Sequence, residues 1–134
     1  MNNCNKVFLI DDDRLSNFVN RSLLRNIGLG FDVHTFDSAD NALFALKALA
    51  ESSSTFPELI LLDVNMPGKD GWEFLDECEK LFPEMQSICT IYMLSASLAK
   101  KDIDYAKEYA AVKGFIQKPL KVEKMESIMQ LVIR

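Results

Sequence analysis

The sequence predicts an α/β fold, a five-stranded parallel sheet covered by helices on both faces. Three observations carry that reading. Short apolar runs alternate strictly with amphipathic stretches; the runs are too uniformly hydrophobic to face water on either side; and five such pairs are too few for a closed eight-stranded barrel. Right-handed crossovers then join the strands. In open sheets of this kind ligands bind beyond the carboxyl ends of the strands, near the point where strand order reverses, so polar residues at strand ends are where chemistry is sought.

Lys6-Val7-Phe8-Leu9-Ile10 is an apolar, partly β-branched run that stops at three aspartates and reads as a buried first strand. From Arg14 to Ile27, Leu15, Phe18, Val19, Leu23 and Ile27 recur at spacings of three and four, the apolar face of a helix that Gly28 ends. Phe31 to Phe36 is the second strand. Ser38 is an N-cap opening a helix through Ala42, Leu43, Leu46 and Leu49. Glu51 to Pro57, with its run of hydroxyl residues, is a surface connection. Leu59 to Leu62 is the third strand, closed by Asp63; Pro67-Gly68-Lys69-Asp70-Gly71 turns the chain into a helix carrying Trp72, Leu75, Cys78 and Leu81. Ile88 to Leu94 is the fourth strand, followed by a less amphipathic helix through Ile103, Ala106 and Tyr109 or Ala110. Lys113 to Gln117 is the fifth strand, and Val122, Met125, Met129 and Val132 mark the last helix.

Composition narrows the function. The chain has 134 residues, 49% hydrophobic and 26% charged, which fits one ordinary domain over residues 1–134. Fifteen Lys and Arg against twenty Asp and Glu leave a net charge of −5, so the basic footprint of a nucleic-acid binder is missing. Cys4, Cys78 and Cys89 are odd in number and widely spaced, which points to neither a disulfide framework nor a zinc site. No apolar run is long enough for a membrane span, and the polar first residues do not form a signal peptide; a cytoplasmic protein is expected.

The polar residues gather at strand ends: Asp11-Asp12-Asp13 after the first strand, Asp63 after the third, Ser95-Ala96 after the fourth and Lys118-Pro119 after the fifth. Carboxylates about 4 Å apart repel by roughly 4 kcal/mol at an effective dielectric of 20, so converging acids need a compensating cation. An all-oxygen set with open positions suits Mg²⁺, or Mn²⁺ in its place, and not zinc. His34, the lone histidine, reads as structural or surface. A carboxylate can also act as a nucleophile toward phosphorus if cations neutralise the transferring group, and Ser95 can hydrogen-bond a phosphoryl oxygen.

Four stretches, Ile10-Asp11-Asp12-Asp13, Leu62-Asp63-Val64-Asn65-Met66-Pro67-Gly68-Lys69-Asp70-Gly71, Leu94-Ser95-Ala96 and Phe115-Ile116-Gln117-Lys118-Pro119, together resemble the receiver domain of two-component response regulators. The resemblance spans nearly the whole chain. It implies a doubly wound, flavodoxin-like (βα)5 sheet of strand order 2-1-3-4-5. It makes Asp63 the phosphoacceptor, Asp12 a direct Mg²⁺ ligand and Asp11 one through water, with Asn65 giving its backbone carbonyl. Ser95 and Lys118 take the hydroxyl and lysine roles, and the Lys118-Pro119 bond is expected cis. Phe115 stands where an inward-turning aromatic acts as a switch with Ser95; Phe for tyrosine and Ser for threonine are departures from the usual form. Asn65 and Ser97 border the path of attacking water and tune the phosphoryl lifetime. Partners read the fourth helix, fifth strand and fifth helix, roughly residues 99 to 133. The phosphodonor is a sensor histidine kinase or histidine phosphotransfer protein, and the downstream target is another protein, unspecified. The expected protein is a stand-alone switch with at most weak autophosphatase activity, not an enzyme in the ordinary sense.

Plainer readings stand beside these. Asp11 to Asp13 also suit a helix cap, Asp63 a turn, Lys118 a solvated surface position and Ser95 local hydrogen bonding. Trp72, Met125 and Met129 are taken as core packing. The rivals are an aspartate-nucleophile phosphatase, which wants an acid where Asn65 stands, a flavin carrier, which wants a phosphate-cradling loop after the first strand, and a phosphorylation-independent pseudo-receiver.

Overall fold

The central strand sets the architecture. In β3 (Leu59–Asp63) every residue is buried, and β1 (Lys6–Ile10) is buried from its second residue on, as strands covered on both sides must be. The computed structural model describes residues 6–27 and 30–132, in which β2 (Asp32–Phe36), β4 (Thr90–Ser95) and β5 (Val112–Gln117) complete one parallel sheet of order β2-β1-β3-β4-β5. The order reverses between β1 and β3, which places their carboxyl ends at the crevice of a doubly wound sheet.

Alternate residues of the strands build two cores. Phe8, Ile10, Ile60, Leu62, Ile91 and Met93 pack under α2 (Ala39–Glu51) and α3 (Gly71–Leu81). Val7, Leu9, Leu59, Leu61, Tyr92 and Leu94 pack on the other side with Leu24 of α1 (Arg14–Ile27) and Met125, Ile128 and Met129 of α5 (Val122–Val132). Both methionines are core residues, as expected. Trp72 is half-buried against the first core.

Local chemistry explains where helices begin. Ser38 accepts a hydrogen bond from Asn41 N and caps α2. Asp70 and Glu73 form a reciprocal capping box at α3, an Asp-x-x-Glu spacing that was legible and not read. Asp13 Oδ1 accepts from Leu15 N and Ser16 N at 3.0 and 3.3 Å, so the third aspartate caps α1.

Three expectations change. Leu15, Phe18 and Val19 of α1 are half to two-thirds exposed, while Asn17 and Asn20 are buried. Asn17 turns inward because its Nδ2 donates to two carbonyls at strand ends, Asp11 O (3.0 Å) and Phe36 O (3.1 Å), the second of which also accepts from Asp11 N. The fourth helix, α4 (Lys100–Ala106), stops short of Tyr109, whose ring instead packs into the core with its hydroxyl donating to Asp76 at 2.6 Å. A 3-10 turn over Pro83–Ser87 delays β4, leaving Ile88 exposed. Gly28, Cys4 and the side chain of Val132 lie outside the described residues. His34 pairs with Asp32 at 3.1 Å, two residues earlier on the same strand face.

Candidate functional site

The acidic site forms where β1, β3 and β5 deliver their last residues to one rim. Asp11 follows β1, and its amide donates to Phe36 O at 3.0 Å, tying it to the end of β2. Its Oδ1 accepts from Asp13 N at 2.9 Å. Asp63 is the last residue of β3, fixed in place by Val64 N donating to Leu94 O and Gly71 N donating to Val64 O. Gly71 is required here for space: a Cβ would lie 2.6 Å from Asp63 O. Lys118 leaves β5 with its amide bonded to Ser95 O at 2.8 Å, and the Lys118–Pro119 bond is cis.

The ammonium of Lys118 lies 2.9 Å from Asp11 Oδ2 and 3.4 Å from Asp63 Oδ1. Asp11 is 1% exposed and Asp63 5%, whereas Asp12 is open to solvent. Carboxylate oxygens of Asp11, Asp12 and Asp63 all fall within 4.8 Å of one another. One ammonium against three carboxylates leaves negative charge uncompensated. Burial, and then the charge of Asp11, push the Asp63 carboxyl up to about 7, with Lys118 pulling the other way. For Lys118 burial works against the charged form, but the two acids outweigh it and its pKa is raised.

The donor set fits a hard divalent cation. It is all oxygen, it is over-supplied with negative charge, and the buried Asp11 Oδ2 has the Lys118 ammonium, 2.9 Å away, as an ion-pair partner but no neutral donor. Mg²⁺ or Mn²⁺ satisfies all three conditions.

The remaining residues singled out from the sequence lie around this centre. Ser95 is buried at the end of β4, and its hydroxyl donates to Ser97 O at 2.5 Å and accepts from Ser97 N at 3.3 Å. Its present contacts are therefore the local ones of the plainer reading. Asn65 and Ser97 are exposed beside the rim. Phe115, on β5, is half-buried with its ring centroid 6.4 Å from that of Trp72. Trp72 in turn stacks on Tyr109 at 5.8 Å and meets Tyr105 edge-on at 4.8 Å. Sequence reading missed Asn17 and Gly71 as supports of the site; for Gly71 the signal was a glycine at the first position of a helix, where nothing local asks for one.

Residues 7–130 match the family model of the response regulator receiver domain. The probable C4-dicarboxylate response regulator DctR of Bacillus subtilis (strain 168) is 32% identical over 125 residues, covering 93% of this chain and 50% of that protein. The chain thus spans about half the length of this curated relative. Among solved structures, a two component response regulator from Cytophaga hutchinsonii is similar with a TM-score of 0.89, 29% identity and 97% coverage of both chains. The phosphorylated cyanobacterial phytochrome response regulator RcpA is similar with a TM-score of 0.79, 26% identity and coverage of 98% of this chain and 95% of that one. No described helix is long and apolar enough to cross a membrane. A family match over this range, on a parallel sheet of this strand order, leaves one conclusion: the chain belongs to the response regulator receiver domain family of two-component signalling.

Proposed function

We propose that this chain is a phosphorylation-controlled switch in which Asp63 accepts the phosphoryl group of a phosphohistidine, carried by a sensor histidine kinase or a histidine phosphotransfer protein. Receiver domains are signalling phosphoacceptors that work with such partners. The observation that best supports Asp63 is the Lys118 ammonium held between Asp11 and Asp63, at 2.9 and 3.4 Å, on a rim open to solvent through Asp12.

In the reaction an Asp63 oxygen forms the new P–O bond as the P–N bond to the partner's imidazole breaks, and the imidazole leaves with the electron pair. Lys118, beside Asp63, would follow the charge on the transferring oxygens, and the hydrogen-bonded backbone at the end of β3 would hold Asp63 in line. Asp11, Asp12 and Asp63, with the backbone carbonyl of Asn65, would hold Mg²⁺ or Mn²⁺, whose charge when bound offsets that of the carboxylates and phosphoryl oxygens. Ser95 then exchanges its bond to Ser97 O for a phosphoryl oxygen, Phe115 moves inward, and the face of α4, β5 and α5 changes. Asn65 and Ser97, exposed beside Asp63, set how fast water removes the group, so autophosphatase activity is slow. We read the chain as one receiver unit acting in the cytoplasm, a setting supported by the free, buried thiols of Cys78 and Cys89.

Incubation with acetyl phosphate and Mg²⁺ tests the assignment by intact mass. The wild type gains one phosphoryl group and Asp63→Asn none; an equal gain by the variant overturns it.

A further inference from the structure

A cleft of about 350 Å³ opens between α1, the end of β2 and the first turn of α2. Arg14, Asn17, Phe18 and Arg21 line it from α1, at the three- and four-residue spacing of one helix face, and Thr35 and Phe36 line it from β2. Leu15 and Val19, also exposed on α1, do not. Two of the lining side chains carry polar atoms without partners. Asn17 is 5% exposed, and its Nδ2 is committed to Asp11 O and Phe36 O, which fixes the amide, since a flipped one would set its oxygen against two carbonyls. Asn17 Oδ1 therefore faces away from the strand ends, buried, and accepts from no group. Arg21 Nε is likewise buried without an acceptor, and among the described residues no carboxylate pairs with the Arg21 guanidinium. Arg14 differs: its Nε and Nη2 donate to Asp37 Oδ2 at 3.1 and 2.9 Å, while Asn41 Nδ2 donates to Asp37 Oδ1 at 3.1 Å, so the charges of Arg14 and Asp37 cancel. The cleft offers one uncommitted positive charge, one buried acceptor and the ring of Phe18, which is 67% exposed.

We propose that this cleft binds a small aromatic monocarboxylate that also carries a hydroxyl or amino donor. The carboxylate takes the guanidinium fork of Arg21, the donor meets Asn17 Oδ1, and the ring covers Phe18. Residues four apart on a helix are separated by about 6 Å along its axis, a span that one ring bridges between opposite substituents. The cleft is also of the size that small-molecule sites have. A phosphate ester fits less well, because its second negative charge finds Arg14 neutralised by Asp37 and adds to a chain of net charge −5. An aliphatic acid leaves the Phe18 ring without a stacking partner. None of Asp11, Asp12, Asp63 and Lys118 lines the cleft, so the inference goes beyond the phosphoacceptor reading and is tested on the unphosphorylated protein.

Titration of the full chain with para-hydroxybenzoate at neutral pH tests this, followed by NMR of the backbone amides and the arginine Nε–H groups. The expected result is a saturating shift of Arg21 Nε–H and of the amides of Phe18 and Thr35. Benzoate, which lacks the donor, and para-hydroxybenzyl alcohol, which lacks the charge, bind roughly fivefold or more weakly, the scale of leaving a buried acceptor or a charged fork unmatched. Arg21→Gln weakens para-hydroxybenzoate binding roughly tenfold or more. Phe18→Ala, at an exposed position where folding is not at stake, also weakens it. The comparison of ligands on the wild type decides the matter even where a variant fails to fold. No saturating shift, shifts centred on Asp12 and Asp63, benzoate or acetate binding as tightly, phenyl phosphate binding more tightly, or full affinity in folded Arg21→Gln overturns the inference.

Discussion

At the scale of single residues the site is a problem of charge that burial makes worse. Asp63 is held near a pKa of about 7 by burial and by Asp11, well above the 3.8 of an unperturbed carboxyl. A carboxyl whose folded pKa lies above its unfolded value stabilises the fold at low pH, and that contribution is lost as pH rises through the folded pKa. In metal-free buffer Asp63→Asn is therefore expected to be more stable than the wild type by roughly 1–3 kcal/mol near pH 8, with the difference gone near pH 4. Urea unfolding with a chelator present measures it; a wild type more stable than the variant near pH 8 contradicts the electrostatic account. Gly71 makes a second residue-scale prediction. A Cβ there would sit 2.6 Å from Asp63 O, so Gly71→Ala costs about 1–3 kcal/mol and slows phosphoryl uptake by displacing Asp63. Unchanged stability and uptake would show that the backbone gives way freely.

At the scale of elements the aspartate triplet divides its labour. Asp11 and Asp12 face the rim, whereas Asp13 spends its side chain on the amides of Leu15 and Ser16. Asp13→Ala should lower stability by about 1 kcal/mol, the usual cost of a lost cap, and leave Mg²⁺-dependent labelling intact. Loss of labelling would place Asp13 in the site instead. The same stretch shows where sequence reading reaches its limit. Strand positions were legible because a strand buried on both faces is a run of apolar residues that stops where the sheet meets solvent, and Asp11, Asp63, Ser95 and Lys118 mark those stops. The face of α1 was not legible. Its apolar spacing points to Leu15, Phe18 and Val19, but the fold turns Asn17 inward to donate to two strand-end carbonyls, partners that come together only once β1 and β2 lie side by side. The end of α4 was lost for a similar reason, since Tyr109 keeps a helical spacing while its hydroxyl is claimed by Asp76 on α3.

For the whole molecule, strand order converts distant sequence positions into one centre. Residues 11, 63 and 118 meet because β1 and β3 flank the reversal point and the side chain of Lys118, which follows β5 at the same sheet edge, reaches both acids. Strict alternation of strands and helices made the layered sheet readable, and the four strand-end motifs supplied its order. What the sequence left unread is the aromatic chain from Phe115 through Trp72 to Tyr105 and Tyr109, which depends on packing between α3, α4, β5 and the segment after α4, whereas the bond of the Ser95 hydroxyl to Ser97 is the local one that the plainer reading expects.

The central claim is that a divalent cation among Asp11, Asp12 and Asp63 allows Asp63 to take a phosphoryl group. Borohydride reduction after acetyl phosphate treatment, followed by peptide sequencing by mass spectrometry, tests it most directly, because an aspartyl phosphate is reduced to homoserine where it stood. The account predicts homoserine at position 63 with Mg²⁺ and none with chelator. Homoserine at position 11, 12 or 13, or equal conversion at 63 without the metal, would contradict it.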